Sequence, residues 1–398
     1  MDVVSFARSF YSNAPQPVKW TLGPVKSLYE ESTRVLRHLK MDVWLLSEIE
    51  PSKASLTVFF AGGREHKNYM AKLAFGDSYD EVYLGRRGQW SVIGSSMVRN
   101  GGPSVVVIQT GRTIGSLLCR GRGFFVPLWV GGAVDLSGDP SSLVKTHNQK
   151  EDVRRIRKNN LEFEVTTDPA KYDFFYEVMY MPYITKVHGN AALPMRYETM
   201  KGKADKSELL LVKKGDESIA GVILLFETNI PQYWSFGVRD GNCEHLRTGA
   251  MGAAVHFAMH YLQEKGYSRM HFGASRAFLK DGVLQFKSGR GMEVIGSRKN
   301  KEGFMIKPLS LSDGVKGFLS TTPFIHFNEQ GLIGAFFTES DRISSGKDIE
   351  KICRDHLLKG MDRLDIFLFG SEEDIKTQLI PAELRQKVTI RSAERLFG

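Results

Sequence analysis

Residues 207–272 read SELLLVKKGDESIAGVILLFETNIPQYWSFGVRDGNCEHLRTGAMGAAVHFAMHYLQEKGYSRMHF, and the order of patterns in this stretch decides the fold. Three runs rich in aliphatic, β-branched and aromatic residues, 207–213, 219–226 and 233–238, follow one another closely, the signal of an antiparallel meander. Lys214-Gly215-Asp216-Glu217 supplies a hairpin turn between the first two. Asp240-Gly241-Asn242 then leads to a helix over 249–265, closed by Gly266 at its C-cap. That helix is apolar nearly all round (Ala250, Met251, Ala253, Ala254, Val255, Phe257, Ala258, Met259, Leu262), so it is expected to be buried. Strand 269–272 follows at once. The stretch predicts three antiparallel strands, a buried crossover helix, and a last strand parallel to its neighbour. A cleft is expected to open near Gly249.

Working outward, 150–159 reads as a helix, 162–166 as a strand, and Asp168-Pro169 opens a helix through Tyr172, Phe175, Val178 and Met179. Ser137-Gly138-Asp139-Pro140-Ser141 marks a boundary. Before it, residues 1–50 read as mostly helical, with Leu28, Val35, Leu36, Leu39 and Val43 spaced for a helix over 25–46. Short β-type runs follow at 55–60, 81–84, 104–109 and 124–134, punctuated by glycine turns. After Pro308 the pattern becomes α-β-α-β, with helices at 347–359 and 372–379 and strands at 365–369 and 387–390. The expected organisation is an N-terminal α/β domain (1–140), a central domain (141–308) and a C-terminal α-β-α-β extension (309–398).

The chain has 398 residues, 42% apolar and 25% charged, which excludes disorder and fibrous repeats. Cys119, Cys243 and Cys353 stand more than 100 residues apart, so neither a disulfide framework nor a CxxC zinc site is expected. The apolar uncharged run Phe124 to Val134 has 11 residues, against the roughly 20 that a bilayer requires. No transmembrane segment is expected. Asp2 and Arg8 flank no apolar run, so a signal peptide is not expected either. The reading places the chain in the cytoplasm, with the inner membrane surface as the alternative. No GxGxxG or GxxxxGK[ST] motif is present, against a dinucleotide enzyme or P-loop ATPase.

The formal net charge is +9, and two short stretches account for it. Residues 145–160 hold six basic and two acidic side chains, and residues 276–301 hold seven and two. Such concentration points to an anionic partner, or to two solvated basic faces. If one anion uses both stretches, they must share a face of the molecule.

Two stretches carry candidate chemistry. In Leu246 to Ala253, Thr248 is placed to cap a helix, and Gly249 and Gly252 allow a ligand near its backbone N–H groups. The competing reading is tight helix packing at the glycines. Gly273 to Lys287 starts where a strand ends and mixes Arg276, Lys280, Lys287, Asp281 and Ser275 with large apolar anchors. His256 and His260, four apart, lack an HExxH motif or a nearby third ligand, so no metal is expected.

The run Val153 to Asn159 (VRRIRKN), the segment Phe175 to His188 (FYEVMYMPYITKVH), the β-β-β-loop-α-β order and the block Phe272 to Lys287 together resemble the FemAB/FemX-like, peptidoglycan-type aminoacyltransferase branch of the GNAT acyltransferase superfamily. The resemblance covers roughly 145–300. It implies an α/β (α+β) fold with a GNAT-like mixed sheet, flanking α/β regions, and a degenerate second GNAT-like half in 1–140 or the tail. It implies an amide-forming acyltransferase with no permanently bound cofactor. The co-substrate is expected to be acyl-CoA, with aminoacyl-tRNA as the alternative, and the acceptor a small-molecule amine or an envelope precursor. The superfamily's pyrophosphate loop, Gln/Arg-x-x-Gly-x-Gly/Ala, is altered here: Gly249 stands where Gln or Arg belongs, and Arg247 comes two residues early.

Within this reading Asp281 is the first candidate for a base or amine-orienting carboxylate, and Glu227 the second. Arg247, Thr248, Gly249, Gly252, Arg276, Lys280 and Lys287 are candidates for donor binding, and Tyr183, His188, Trp234 and Ser235 for the acceptor pocket. Three other classes remain open: a tRNA-dependent Fem-type transferase, a non-catalytic polyanion- or partner-binding module, and a membrane-surface enzyme drawn to anionic headgroups.

Overall fold

The structure, a computed structural model, describes residues 40–49, 55–93, 102–119, 122–139, 143–188, 194–296, 302–328, 331–370 and 376–397. Its first strand is β1 (Lys40–Ser47), where a helix was expected; residues 25–39 of that helix lie outside the described residues. Met41 and Val43 enter one apolar cluster while Trp44 and Leu46 enter another. A strand covered on both faces shows no clean two-residue period, so its apolar run passes for helical spacing.

β2 (Thr57–Gly62), α1 (Arg64–Phe75), β3 (Asp80–Gly88), β4 (Val105–Gly111) and α2 (Arg112–Cys119) follow; neither helix was anticipated. The single apolar run expected at 124–134 is two strands, β5 (Phe124–Pro127) and β6 (Val130–Asp135), in different sheets. Their link, Leu128-Trp129, is itself apolar and carries no turn signal.

The central region opens with α3 (His147–Lys158), fixed by a capping box between Thr146 and Gln149. After β7 (Leu161–Thr166), Asp168 caps α4 (Pro169–Phe174), which runs through a π-helical turn, Phe175–Tyr180, into α5 (Met181–His188). The meander is as expected: β8 (Ser207–Lys214), β9 (Glu217–Leu225) and β10 (Gln232–Val238) pair antiparallel. α6 (Cys243–Arg247) and α7 (Ala250–Glu264) lead to β11 (Arg269–Ser275), parallel to β10. α7 buries Ala250, Ala253, Ala254, Phe257, Ala258 and Leu262 against the sheet and α3. A short helix, α8 (Gly282–Ser288), and β12 (Glu293–Ile295) complete the region.

β13 (Glu302–Pro308) then returns to the first sheet, whose order is β3-β1-β2-β4-β13-β5. The central order is β12-β6-β11-β10-β9-β8-β7. Each half thus lends the other a strand: β6 sits between β11 and β12, and β13 between β4 and β5. The boundaries expected at 140 and 308 do not follow the sheets, because β6 belongs to the central sheet and β13 to the first.

Both halves repeat one arrangement. A strand, a crossover helix and a parallel neighbour (β2, α1, β4; β10, α7, β11) are followed by a borrowed antiparallel strand and a short last strand. The chain is an α/β protein with a mixed central sheet and a second, similarly wired half. The C-terminal sheet pairs β14 (Phe324–Asn328) antiparallel to β15 (Gly331–Glu339), then continues in parallel through β16 (Arg363–Phe369) and β17 (Val388–Ser392), with α9 (Gly346–His356) between β15 and β16. Of the helix expected at 372–379, residues 372–375 lie outside the described residues, and Lys376 and Thr377 are helical.

Candidate active site

The two parallel pairs differ in one respect. β2 and β4 stay paired over four positions, Val58↔Val105 to Ala61↔Ile108, whereas β10 and β11 share only Gln232↔His271. Beyond that pair the central strands part. Each also carries a bulge, between Tyr233 and Ser235 in β10 and between His271 and Ala274 in β11. Bulges re-aim side chains and end pairing, and they gather beside active sites. The opening lies at the carboxyl ends of both strands, where open α/β sheets bind ligands.

Gly273 adopts φ +70° at the opening, and a Cβ there would meet Lys287 Nζ and the Tyr233 carbonyl oxygen, both at 3.7 Å. The glycine therefore leaves room for about a methyl group between an ammonium and a carbonyl. Lys287 Nζ donates to Ala274 O at 2.8 Å and lies 5.6 Å from the Phe272 ring centre. Burial pushes the Lys287 ammonium down to about 8, against the pull of Asp281. Ser275, at the end of β11, has a buried hydroxyl with no hydrogen-bond partner among the described residues.

Past β11 the chain meets α1 of the first half. The Arg276 guanidinium stacks between Trp129 (4.1 Å) and Tyr69 (4.6 Å), with Nη1 3.2 Å from His66 Nδ1. Burial lowers the pKa of Arg276 and of His66. Tyr69 Oη donates to Asp281 Oδ2 at 3.2 Å, and burial followed by the Asp281 charge raises the phenol. Asp281 was read within a loop; the structure makes it the N-cap of α8, with Oδ1 accepting from Val283 N (3.0 Å) and Leu284 N (3.1 Å). Arg276, Asp281 and Lys287 therefore gather at the seam between the halves. His66, Tyr69, Trp129 and Tyr233 were not anticipated: the first three lie in the other half, more than 140 residues from Arg276 in sequence.

Other candidates fall elsewhere. Lys280 is exposed and reaches Ser320 O at 3.5 Å, toward the C-terminal region. Glu227 pairs with Lys203 at 2.8 Å in the β9–β10 connection. Trp234 stands under the same Lys203 ammonium at 5.1 Å, and Ser235 Oγ lies 3.9 Å from Met195 Sδ. Tyr183 packs edge-on to Phe236 at 5.4 Å with its phenol pushed up to about 12 by burial. His188 is the last residue of α5.

The loop before α7 is filled by protein. Thr248 was expected to cap α7; its hydroxyl instead donates to His245 O at 2.8 Å, and the N-cap is Gly249 at φ +99°. A Cβ on Gly249 would come within 2.9 Å of Arg155 Cβ, and one on Gly252 within 2.0 Å of Asp152 Oδ1. Asn159 Nδ2 donates to Thr248 O at 3.0 Å. Both glycines thus admit α3 across the start of α7, and Arg247 pairs outside with Glu244. α3 therefore covers the start of α7.

The same contact brings the two basic stretches together. Thr146 Oγ1 donates to Gly289 O (2.6 Å), Gln149 Nε2 to Arg290 O (3.1 Å), and Arg290 holds Asp152 with Nε–Oδ2 2.7 Å and Nη2–Oδ1 2.8 Å. Lys150, Arg154, Arg157 and Lys158 remain exposed on α3.

His256 and His260 face each other with ring centres 4.3 Å apart. Among the described residues no group of three or more His, Cys, Asp or Glu is placed to hold a metal ion. Burial, then His260, pushes His256 down to about 4, and burial does the same to His326. A histidine pKa depressed on folding leaves stability intact above about 6.5 and withdraws it as pH falls toward 4, because the unfolded chain takes up the proton first. The Tm is therefore expected to fall between pH 6.5 and 5, and to fall less in His256→Gln. A flat profile across that window would contradict the burial of both rings.

The chain matches no protein-family model and no curated protein. Among solved structures it is similar to the C-terminal domain of a putative lysylphosphatidylglycerol synthetase from Agrobacterium fabrum, at 13% identity over 71% of this chain and 88% of that one, with a TM-score of 0.33. It is similar to FemX at 13% identity over 67% and 84%, TM-score 0.36. A GCN5-related N-acetyltransferase from Sphaerobacter thermophilus gives 12% identity over 69% and 79%, TM-score 0.29.

Proposed function

We propose that the chain is an amide-forming transferase that moves an acyl or aminoacyl group from an activated, phosphate-bearing donor to an amine, with the reaction at the gap between β10 and β11. The observation that carries this is the parted parallel pair: one bridging position, a bulge on each strand, and Gly273 leaving room beside Lys287. Parted strands expose backbone N–H and C=O groups that a sheet would otherwise use, and an extended donor can pair with them.

In the reaction the amine nitrogen bonds the acyl carbon, and the acyl–oxygen or acyl–sulfur bond to the carrier breaks. Of the two protons the ammonium loses, one goes to solvent and the other to the departing oxygen or sulfur. Asp281, facing the seam through Oδ2, orients the ammonium in competition with Tyr69. Lys287 and Arg276 hold the donor's negative charge and the developing oxyanion. Because α3 covers the start of α7, the donor's phosphates lie on the Arg276–Lys287 side and along the exposed basic face of α3. That face suits a polyanion such as aminoacyl-tRNA; acyl-CoA is the second reading, favoured by the GNAT-like sheet. No helix of the described residues is long and apolar enough to cross a membrane.

Thermal shift with acetyl-CoA and with aminoacyl-tRNA, offered separately beside free CoA and uncharged tRNA, tests the reading. One donor class is expected to raise the Tm, and Gly273→Ala, whose methyl enters the gap, to reduce the rise at least tenfold in ligand concentration. Indifference to both donors, or a shift unchanged in Gly273→Ala, would overturn it.

A further inference from the structure

A second charged cavity lies away from the β10–β11 gap. It has a volume of about 690 Å3, between α2 and β5 of the first half and the C-terminal sheet. Four arginines line it, Arg112 from α2, Arg363 from β16, and Arg391 and Arg395 from the C-terminal end, against one lining carboxylate, Asp365. Alternation builds this face: on β16, Arg363, Asp365 and Phe367 line the cavity, while Leu364, Ile366 and Leu368 join the apolar cluster that includes α9. Asp365 is buried and accepts from Arg363 Nε at 2.6 Å, with Arg391 Nε 3.2 Å from its other oxygen. These contacts fix two guanidinium planes at the cavity wall. The Arg112 guanidinium stacks 4.4 Å above the Phe327 ring, which leaves its edge of N–H donors free of the ring face.

His326, on β14, supplies an independent sign of a missing ligand. It is 8% exposed, lines the cavity, and its Nε2 is buried with no hydrogen-bond partner among the described residues. Buried polar atoms are rarely left unpaired, since each costs about 1–3 kcal/mol. Its ring packs edge-on against Phe124 at 5.1 Å, so that the nitrogen is held in place rather than free to turn to water. Guanidinium forks match phosphate oxygens in pairs, and a neutral imidazole completes such a shell with one hydrogen bond.

We infer that this cavity binds a small phosphorylated molecule, with its phosphate among Arg112, Arg391 and the His326 Nε2, and its organic part toward Phe327. Charge selects the ligand: lining arginines outnumber lining carboxylates by three, which suits a phosphate or diphosphate of two or three charges and disfavours a neutral or cationic one. The volume exceeds that of a bare phosphate and falls within the roughly 300–1,000 Å3 of small-molecule sites. No lining residue is shared with the gap at Gly273, so the two sites fill independently.

Calorimetric titration of the full chain with inorganic phosphate, pyrophosphate and ADP, beside adenosine and chloride at matched ionic strength, tests the inference. At least one phosphate probe is expected to bind saturably at one site, and adenosine not at all. ADP tighter than pyrophosphate identifies an organic phosphate, and equal affinities identify the phosphate group alone as the ligand. Arg112→Gln, at an exposed position that does not threaten folding, should weaken binding about tenfold, and Arg112→Gln with Arg391→Gln should abolish it. Lys287→Met should leave it unchanged. Absence of saturable binding by all three phosphate probes, or binding lost in Lys287→Met but kept in Arg112→Gln, would overturn the inference.

Discussion

Asp152→Ala is expected to destabilise the protein by about 3–5 kcal/mol, the usual range for stranding one partner of a buried ion pair. Asp152 and Arg290 are 8% and 12% exposed and meet through two hydrogen bonds of 2.7 and 2.8 Å. The guanidinium also lies 3.7 Å from the Phe286 ring centre and donates to Phe286 O at 3.1 Å. Burial raises the Asp152 carboxyl above its ordinary range while Arg290 opposes the rise, the balance expected of two charges that have given up water for each other. Removing the carboxylate leaves Arg290 buried without its partner, and empties the slot beside Gly252. Through α3 it also loosens the contact between the two basic stretches. Chemical denaturation should show the loss directly. Asp152→Ala with Arg290→Met should recover much of it, because the double variant strands no charge. A loss below about 1 kcal/mol in the single variant would mean that the pair is solvated and that α3 does not seal the start of α7.

The same pair shows what was readable from the sequence. The patterns of 207–272 predicted the meander, the buried helix and the parallel last strand because turn signals at Lys214 to Glu217, Asp240 to Asn242 and Gly266 bound the elements, although β8 and β9 bury residues on both faces. β1 and the 124–134 run failed because both are apolar on two faces without such turn signals, so period and boundary vanish together. The exchange of β6 and β13 leaves no local signal at all, since it depends on which sheet a strand reaches after a short link. At the site, the block 273–287 was singled out as dense in chemistry, and the structure brings its Arg276, Asp281 and Lys287 to the seam between the halves. Its Asp281-Gly282 opening nonetheless held a helix-start signal, an Asp before an apolar run, and the structure places a cap there. Gly249 and Gly252 accommodate Arg155 and Asp152, an approach of α3 that spacing within 246–253 does not reveal. His66, Tyr69 and Trp129 could not be joined to Arg276 by spacing, because the contact forms only when the two halves meet.

Lys287→Met is expected to lower turnover about 100- to 1,000-fold while leaving the Tm within a few degrees, the scale on which removing one preorganised transition-state donor acts. The side chain runs to the gap beside Gly273, and its ammonium is held by a single hydrogen bond to Ala274 O. Methionine keeps the length and the apolar stem over Phe272 but removes the charge. The pH profile separates a charged role from mere packing. With its ammonium pushed down to about 8, Lys287 is cationic below that pH and neutral above it, so turnover should decline as pH rises through about 8. In Lys287→Arg the guanidinium stays charged, and the decline should move above pH 10 even if overall turnover is lower. A proton-accepting lysine predicts the reverse, a rate that climbs through pH 8. A profile that climbs would make Lys287 a base and overturn its cationic role, and one that Lys287→Arg does not move would remove Lys287 from the reaction and leave the gap at Gly273 without its cation.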